Sequence, residues 1–217
     1  LYEHSGAMPS FLTVTDGKKH EVRVVKEMSF PLVPDSIVSI DKAYIDYKWL
    51  YSLEAQRVWF VTRAKANIDY AVTGQHEVTG KGVLSDERIA IQGPMTKSFY
   101  PKELRLIRYF DEEQQKTLTF LTNNFKLAAS TIAQIYKSRW QIELFFKWIK
   151  GHLRIRNFYG TSENAVKTQI WIAVCVYVLI AIVRKELRLE QSLSTILQIL
   201  SVSPFEKVPL AELLTQP

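Results

Sequence analysis

Residues 135–156 read IYKSRWQIELFFKWIKGHLRIR, with no proline and no glycine before Gly151. A run of this length without a helix breaker predicts one continuous helix. At about 100° per residue, one stripe about 60° wide carries four polar side chains, with Lys147 at its edge. These four are Tyr136, Arg139, Glu143 and Lys150. The other side is apolar and should be buried; it consists of Ile142, Phe145, Phe146 and Ile149.

A single carboxylate among cations on one helical stripe has two interpretations. Glu143 can ligate a hard divalent cation, while the neighbouring cations and the Tyr136 hydroxyl hold phosphate oxygens. The stripe can equally be a solvated face, in which Arg139 and Glu143 form an ordinary i,i+4 ion pair. Residue types and spacing alone leave both interpretations open.

The spacing Y-x2-R-x3-E-x6-K resembles the signature around the catalytic glutamate of DDE transposases of the IS-four insertion-sequence family. All four positions match, at Tyr136, Arg139, Glu143 and Lys150. The flanking segments LTNNF (121–125) and GTSENAVKTQIWIA (160–173) are similar to that family as well. The resemblance implies an α/β fold with a mixed sheet, namely an RNase H-like core that carries a β-rich insertion.

A second acidic position lies upstream, where SIVSID (36–41) predicts a short apolar strand that ends at Asp41. Open α/β sheets place their chemistry at the carboxyl ends of strands. The segment DKAYIDYKWL (41–50) resembles the second-aspartate motif of the same family, in which the aspartate at the position of Asp41 is a metal ligand. Asp46 comes at the start of the following predicted helix and is expected to stabilise that terminus.

The resemblance implies DNA transposition of an insertion sequence, in which a pair of Mg2+ or Mn2+ ions promotes strand cleavage and strand transfer. Asp41 and Glu143 would be the catalytic metal ligands of this chain. The DNA-binding residues would be Tyr136, Arg139, Lys147, Lys150, Arg154 and Arg156, although Arg154 and Arg156 equally fit a solvated basic loop. The implied partners are double-stranded DNA, as transposon ends and target, and a second copy of the chain in the DNA complex.

Three segments of the chain differ in composition and residue pattern. Residues 1–65 are expected to form the N-terminal part of the core and to include a strand at 58–65. Residues 66–122 contain short alternating runs broken by glycine and proline, which predicts a β-rich insertion. Residues 123–217 are predicted to be the helical part of the core, with a helix at 164–187. Arg63 and Lys65, at the exit of strand 58–65, either line a DNA path or are solvated.

An aromatic residue of the insertion stacks on an extruded base in some relatives of the resembling family, where it is a tryptophan. No tryptophan lies between Trp59 and Trp140 in this sequence. Phe99, Tyr100 and Tyr109 are the candidates to substitute, and core packing is the alternative for each of them.

The 217 residues carry a net charge of +6, which is compatible with a nucleic-acid partner but is a modest excess. The single cysteine, Cys175, excludes a disulfide framework within the chain, and its apolar surroundings predict a buried side chain. The longest apolar run, residues 170–183, is shorter than the roughly 20 residues that span a bilayer. We therefore expect a buried core helix, no membrane association and a cytoplasmic prokaryotic protein.

The first catalytic aspartate of the resembling family lies on a strand that has no counterpart in this sequence. The expected protein is therefore a fragment of a transposase catalytic domain that is inactive by itself. One alternative is a non-catalytic remnant that still binds DNA or dimerises. A self-contained nuclease would need a third carboxylate from this chain, and a structural α+β domain would make the four-position match a coincidence.

Overall fold

The computed structural model describes residues 2–3, 8–9, 32–152, 160, 162–203 and 207–215. The chain divides into two compact units, of which one comprises Thr15–Arg139 and the other Leu1–Val14 with Trp140–Pro217. The second unit begins with an antiparallel pair of very short strands, β1 (Tyr2–Glu3) and β2 (Met8–Pro9).

A six-stranded mixed sheet forms the centre of the Thr15–Arg139 unit. Its strands are β3 (Ile37–Ile40), β4 (Trp59–Arg63), β5 (Tyr70–Gln75), β6 (Val83–Ile91), β7 (Leu104–Asp111) and β8 (Lys116–Thr122). The order across the sheet is β3-β4-β8-β7-β6-β5, in which β3 and β4 are parallel and the other neighbours are antiparallel. The mixed α/β class predicted from the sequence is confirmed. Strands β5 to β8 come from the segment predicted to be β-rich, and they extend the sheet that begins with β3 and β4.

Helices cover both faces of this sheet. They are a 3-10 turn (Lys42–Tyr44), α1 (Tyr47–Ala55), α2 (Pro94–Phe99) and α3 (Ala129–Ser138). Phe60 clusters with Leu50 and Leu53 of α1, whereas Val61 clusters with Ile132 of α3. Phe60 and Val61 are consecutive in β4, and successive side chains of a strand point to opposite faces. The three-part division proposed from the sequence stays a prediction.

The signature stretch forms two helices, α3 and α4 (Trp140–His152), so the prediction of one continuous helix is wrong. The break lies at Arg139, whose backbone N–H donates to the Tyr136 carbonyl at 3.1 Å. In an uninterrupted helix this N–H would donate to the carbonyl of Ile135. The Ser138 hydroxyl donates to that carbonyl instead, at 2.6 Å, which is a known way for serine to disturb a helix. The signature residues therefore do not share one helical wheel.

The second unit continues with α4, α5 (Glu163–Glu186), α6 (Leu193–Val202) and α7 (Leu210–Thr215). Phe145 and Ile149 of α4 cluster with Tyr177 of α5, and the rings of Phe145 and Tyr177 lie 4.7 Å apart. Ser162 caps α5 by accepting a hydrogen bond from the Ala165 N–H at 3.2 Å.

Three expectations about burial in this unit are wrong. Phe146 is 44% exposed, although the apolar side of the signature stretch was expected to be buried throughout. Cys175 is exposed. Helix α5 buries one face only, and Ile172 and Leu179 are about 60% exposed on the other. By length and composition alone α5 is apolar enough to cross a membrane, a test that the core helix of a soluble protein also passes.

Candidate active site

Asp41 stands at the carboxyl end of the parallel strand pair. It directly follows β3, and its carboxylate accepts a hydrogen bond from the Ala43 N–H at 3.0 Å, which caps the 3-10 turn. The other carboxylate oxygen, Oδ2, lies 3.5 Å from Nη2 of Arg139. Because Asp41 follows a strand and Arg139 follows α3 as its C-cap, the fold joins two sequence motifs that lie far apart in the chain.

Tyr136 contacts the arginine of this ion pair through its aromatic ring. Its ring is only 7% exposed and packs 5.2 Å from the ring of Phe120 in β8. The guanidinium of Arg139 lies 5.6 Å from the centre of the Tyr136 ring, within the range of a cation–π contact. Tyr136 is thus part of the core of its unit rather than of an exposed polar stripe.

Burial and neighbouring charges act together on the Tyr136 phenol. Burial raises its pKa, and the nearby charge of Asp41 adds to this, whereas Arg139 and Arg63 lower it. The net pKa is raised, so the hydroxyl keeps its proton at neutral pH and can donate a hydrogen bond.

The loop between β8 and α3 is held by a buried ion pair that residue spacing does not predict. Arg105 of β7 binds Asp86 of β6 through two hydrogen bonds, of 2.8 and 2.6 Å. Both residues are about 95% buried. The same guanidinium donates to the carbonyls of Asn124 at 3.2 Å and Leu127 at 2.6 Å, which lie just before α3. Arg105 therefore connects the sheet to the start of the helix that ends at Arg139.

Two asparagines organise the same loop. The side-chain carbonyl of Asn123 accepts from the Phe60 N–H at 2.8 Å, and its amide donates to the Val58 carbonyl at 3.2 Å, so it extends the pairing of β4. The Asn124 side chain accepts from the N–H groups of Lys126 and Leu127. The start of α3 itself, after Ala128, has no side-chain cap. Both asparagines belong to the LTNNF segment noted in the sequence, but their hydrogen bonds depend on contacts that form only in the folded chain.

Lys137 ties α3 to the β7–β8 hairpin. Its ammonium group lies 3.2 Å from a carboxylate oxygen of Asp111, a residue that is 1% exposed. Burial alone would raise the pKa of Asp111, but hydrogen bonds from Lys137 and from the N–H groups of Gln114 and Glu113 together lower it. Because the folded pKa is lowered, this carboxylate stabilises the fold above its ordinary pKa of about 3.9. That stability is lost as the pH falls through the lowered pKa.

Asp111→Asn should reduce the free energy of unfolding at pH 7 by about 1–2 kcal/mol, since it weakens a charge-assisted hydrogen bond. The difference from wild type should shrink below about pH 4, where the wild-type carboxylate also takes up a proton. Urea unfolding at several pH values measures this difference. Glu113→Gln is the control, because Glu113 also binds Lys137 but is exposed. A difference for Asp111→Asn that does not change with pH would contradict the expected role of its charge.

The remaining signature residues lie on α4, in the second unit. Glu143 is half-buried, whereas Lys147 and Lys150 are exposed. These three positions follow a spacing of four and three residues and share one side of α4. An open groove of about 830 Å3 lies along this helix. It is lined by Glu143, Leu144, Phe146, Lys147, Trp148, Lys150 and Gly151. Arg154 and Arg156 lie outside the described residues.

The donor chemistry of Asp41 fits a hard divalent cation, because carboxylate oxygens are the ligands that Mg2+ and Mn2+ prefer. Its Oδ2 is paired with the Arg139 guanidinium, with which a bound cation would compete. Within the described ranges, however, no group of three or more Asp, Glu, His or Cys side chains comes together. Asp41 and Glu143 belong to different units.

Only one of the three candidate stacking residues is exposed. Phe99 is 40% exposed at the end of α2. Tyr100 is 1% exposed and donates a hydrogen bond to Glu54. Tyr109 packs 6.3 Å from Phe120. Core packing therefore accounts for Tyr100 and Tyr109.

The comparison with known protein families decides the identity of the chain. A family model described as the transposase DDE domain matches residues 1–179. This chain belongs to the transposase DDE domain family. The family predicted from the signature is thereby confirmed at this level, and the narrower assignment to the IS-four group stays a prediction.

Curated relatives of this transposase domain agree. A putative transposase of Sinorhizobium fredii is 33% identical over 189 residues, covering 84% of this chain and 51% of the relative. A probable transposase for an insertion sequence element of Geobacillus stearothermophilus is 28% identical, covering 82% of this chain and 47% of the relative. A third, from Synechocystis, is a putative transposase for an insertion sequence element and is 24% identical, covering 81% and 49%. The chain spans about half the length of the curated relatives that it matches.

Proposed function

We propose that this chain supplies part of the catalytic centre of a DNA transposase that moves an insertion sequence in the cytoplasm of a prokaryote. Asp41 and Glu143 are its metal-binding carboxylates. Tyr136, Arg139, Lys147 and Lys150, with Arg154 and Arg156, bind the DNA backbone. The substrate is double-stranded DNA, and two copies of the chain act together on paired transposon ends.

The observation that carries this proposal is the ion pair between Arg139 and Asp41, with the two groups 3.5 Å apart. One residue belongs to the signature and the other ends a strand far upstream. An unrelated salt-bridged helix would have no reason to direct its arginine at the carboxyl end of a parallel strand pair, where α/β sheets bind ligands. The family match covers both residues.

Each side chain has a task that suits its chemistry. A guanidinium holds two phosphate oxygens through parallel charge-assisted hydrogen bonds, which suits Arg139 for orienting the scissile strand. The protonated Tyr136 hydroxyl can donate one more hydrogen bond. Lys147 and Lys150 act as point charges on the exposed side of α4, where they neutralise backbone phosphates.

Asp41 and Glu143 would hold the divalent cations, because both are hard oxygen donors. When bound, Mg2+ or Mn2+ supplies Lewis-acid activation of the attacking and leaving oxygens of the phosphodiester. A non-catalytic, DNA-binding remnant is the second candidate. It is favoured by the finding that the described residues hold no cluster of three metal-binding side chains.

Calorimetric titration of the full chain with Mn2+ tests the metal assignment. We expect Asp41→Asn and Glu143→Gln each to weaken Mn2+ binding by about tenfold or more, since each removes a ligand oxygen. Asp35→Asn is the matched control, because Asp35 lies just before β3 but pairs with Arg57 at 2.6 Å. This control should bind Mn2+ like the wild type. Equal binding by all four proteins would refute the metal site and favour the remnant.

A further inference from the structure

Helix α5 carries an exposed stripe on the side opposite to its buried face. The buried face packs on α4 and α6, where Tyr177 clusters with Phe145 and Ile180 clusters with Ile196. On the other side, six exposed residues follow one another at alternating intervals of four and three. These residues, named the α5 stripe from here on, are Thr168, Ile172, Cys175, Leu179, Ile182 and Glu186.

The spacing of the α5 stripe is that of a seam between two paired helices. Intervals of four and three residues give the average period of about 3.5 that the a and d positions of a coiled coil have. At about 100° per residue the stripe is about 80° wide, which one partner helix covers. Residues 168–183 contain no charged side chain, and Ile172 and Leu179 are 59% and 62% exposed. An exposed apolar stripe of this kind marks an interaction surface.

The α5 stripe is complementary to itself when two copies run antiparallel. Its six positions are symmetric about residue 177. Ile172 of one copy therefore meets Ile182 of the other, and Cys175 meets Leu179. Each apolar member of the stripe then has an apolar partner, and the same contact occurs twice about a two-fold axis.

The polar residues at the two ends of the stripe select the antiparallel orientation. Antiparallel pairing brings Thr168 to Glu186 of the second copy, where the hydroxyl can donate to the carboxylate. It also brings Trp171, which is 43% exposed, beside Lys185 of the second copy, where a cation–π contact can form. Parallel pairing would instead set Glu186 against Glu186 and Lys185 against Lys185. Like charges repel, and parallel helix dipoles add to the repulsion.

We propose that the α5 stripe is a self-association surface, on which α5 of a second copy of this chain packs antiparallel. The pairing goes beyond the proposed function, because it needs neither DNA nor metal. Two stripes together bury on the order of 1,000 Å2, which is the lower end for a specific interface. The dimer is therefore weak, with a dissociation constant on the order of 10 μM.

Sedimentation equilibrium of the full chain, without DNA or metal, tests this pairing between about 1 and 200 μM. Wild type should change from monomer to dimer across this range. Leu179→Glu should weaken the association by about tenfold or more, since it puts a charge at the centre of an apolar contact. Val202→Glu is the matched control, because Val202 is 75% exposed at the end of α6, outside the stripe. It should dimerise like the wild type.

Two outcomes of this experiment would overturn the pairing. One is a wild-type chain that stays monomeric throughout the range, and the other is equal association by Leu179→Glu and wild type. Neither outcome touches the assignment of Asp41 and Glu143 as metal-binding residues, which the Mn2+ titration tests separately.

A complementary pair of variants tests the antiparallel geometry. Ile172→Lys and Ile182→Glu should each associate more weakly than wild type by about tenfold or more. An equimolar mixture should recover most of the affinity, because the lysine of one copy meets the glutamate of the other. Recovery also shows that both variants are folded. A mixture that associates no better than either variant alone would refute the antiparallel pair.

A bilayer surface is the competing occupant of the stripe, since α5 is long and apolar enough to enter one. Flotation with vesicles of phosphatidylglycerol and phosphatidylethanolamine tests it. We expect the wild type not to float with the vesicles. Vesicle binding by a chain that is monomeric in solution, abolished in Leu179→Glu, would assign the stripe to lipid and overturn the proposal.

Discussion

Arg105→Met is expected to destabilise the fold by about 3–5 kcal/mol, because it leaves the Asp86 carboxylate buried without its counter-charge. Asp86 is 4% exposed, so water cannot replace the guanidinium. The substitution also removes the donor to the carbonyls of Asn124 and Leu127, in the loop that begins α3. Urea unfolding of wild type and variant measures the loss.

The double variant Asp86→Leu/Arg105→Met distinguishes two causes of the lost stability, namely the unpaired buried charge and the lost hydrogen bonds to the loop. Replacing both members of a buried ion pair by apolar residues is often neutral or stabilising. Recovery should be incomplete here, because the two loop carbonyls still lack their donor, at about 1 kcal/mol for each lost hydrogen bond. A double variant as unstable as Arg105→Met would show that the unpaired charge is not the cause.

The Arg105–Asp86 ion pair should also affect the candidate active site, because Arg105 binds the loop that begins α3. If the ion pair positions α3, the double variant should bind duplex DNA more weakly than wild type even where its fold is largely recovered. Full DNA affinity in a folded double variant would limit the pair to a structural role.

Phe120→Ala is expected to cost about 3–5 kcal/mol, the range for removing a fully buried phenylalanine. Phe120 is 0% exposed, and its ring supports both Tyr109 and Tyr136. Removing the Phe120 ring opens a cavity beside Tyr136, the residue whose ring contacts the Arg139 guanidinium. The free energy of unfolding, again from urea titration, is the measurement.

Phe146→Ala is the matched control for this prediction. It removes the same side chain at a position that is 44% exposed, so its cost should stay below about 1 kcal/mol. Phe120→Leu, which keeps most of the volume, should cost clearly less than Phe120→Ala. Similar losses for Phe120→Ala and Phe146→Ala would mean that the cluster around Phe120 does not hold the unit together.

Local features of the fold were predictable because they depend on neighbours in sequence. Asp46 caps α1 by accepting from the Trp49 N–H at 2.9 Å, as its place before an apolar helix suggested. Ser162 caps α5 in the same way. The turn between β7 and β8 is local in the same sense, since the Asp111 carboxylate accepts from the Glu113 and Gln114 N–H groups just after it in sequence.

The predictions that failed did so for different physical reasons. The signature stretch lacks a helix breaker, yet Ser138 takes the carbonyl that an intact helix would give to the Arg139 N–H. Tyr136 satisfies the polar pattern of the stripe, but Phe120 buries it. Cys175 lies in an apolar run, but it falls on the face of α5 that the described residues leave exposed.

The amino-acid sequence by itself indicated the family of this protein, the strands at 36–41 and 58–65, the β-rich segment at 66–122 and the helix at 164–187. Those features follow from residue spacing, which is a local property. Only the tertiary structure decided that Arg139 pairs with Asp41 and that Arg105 binds Asp86. These contacts depend on strand register and on how α3 packs against the sheet, and neither is encoded in the separation of residues along the chain.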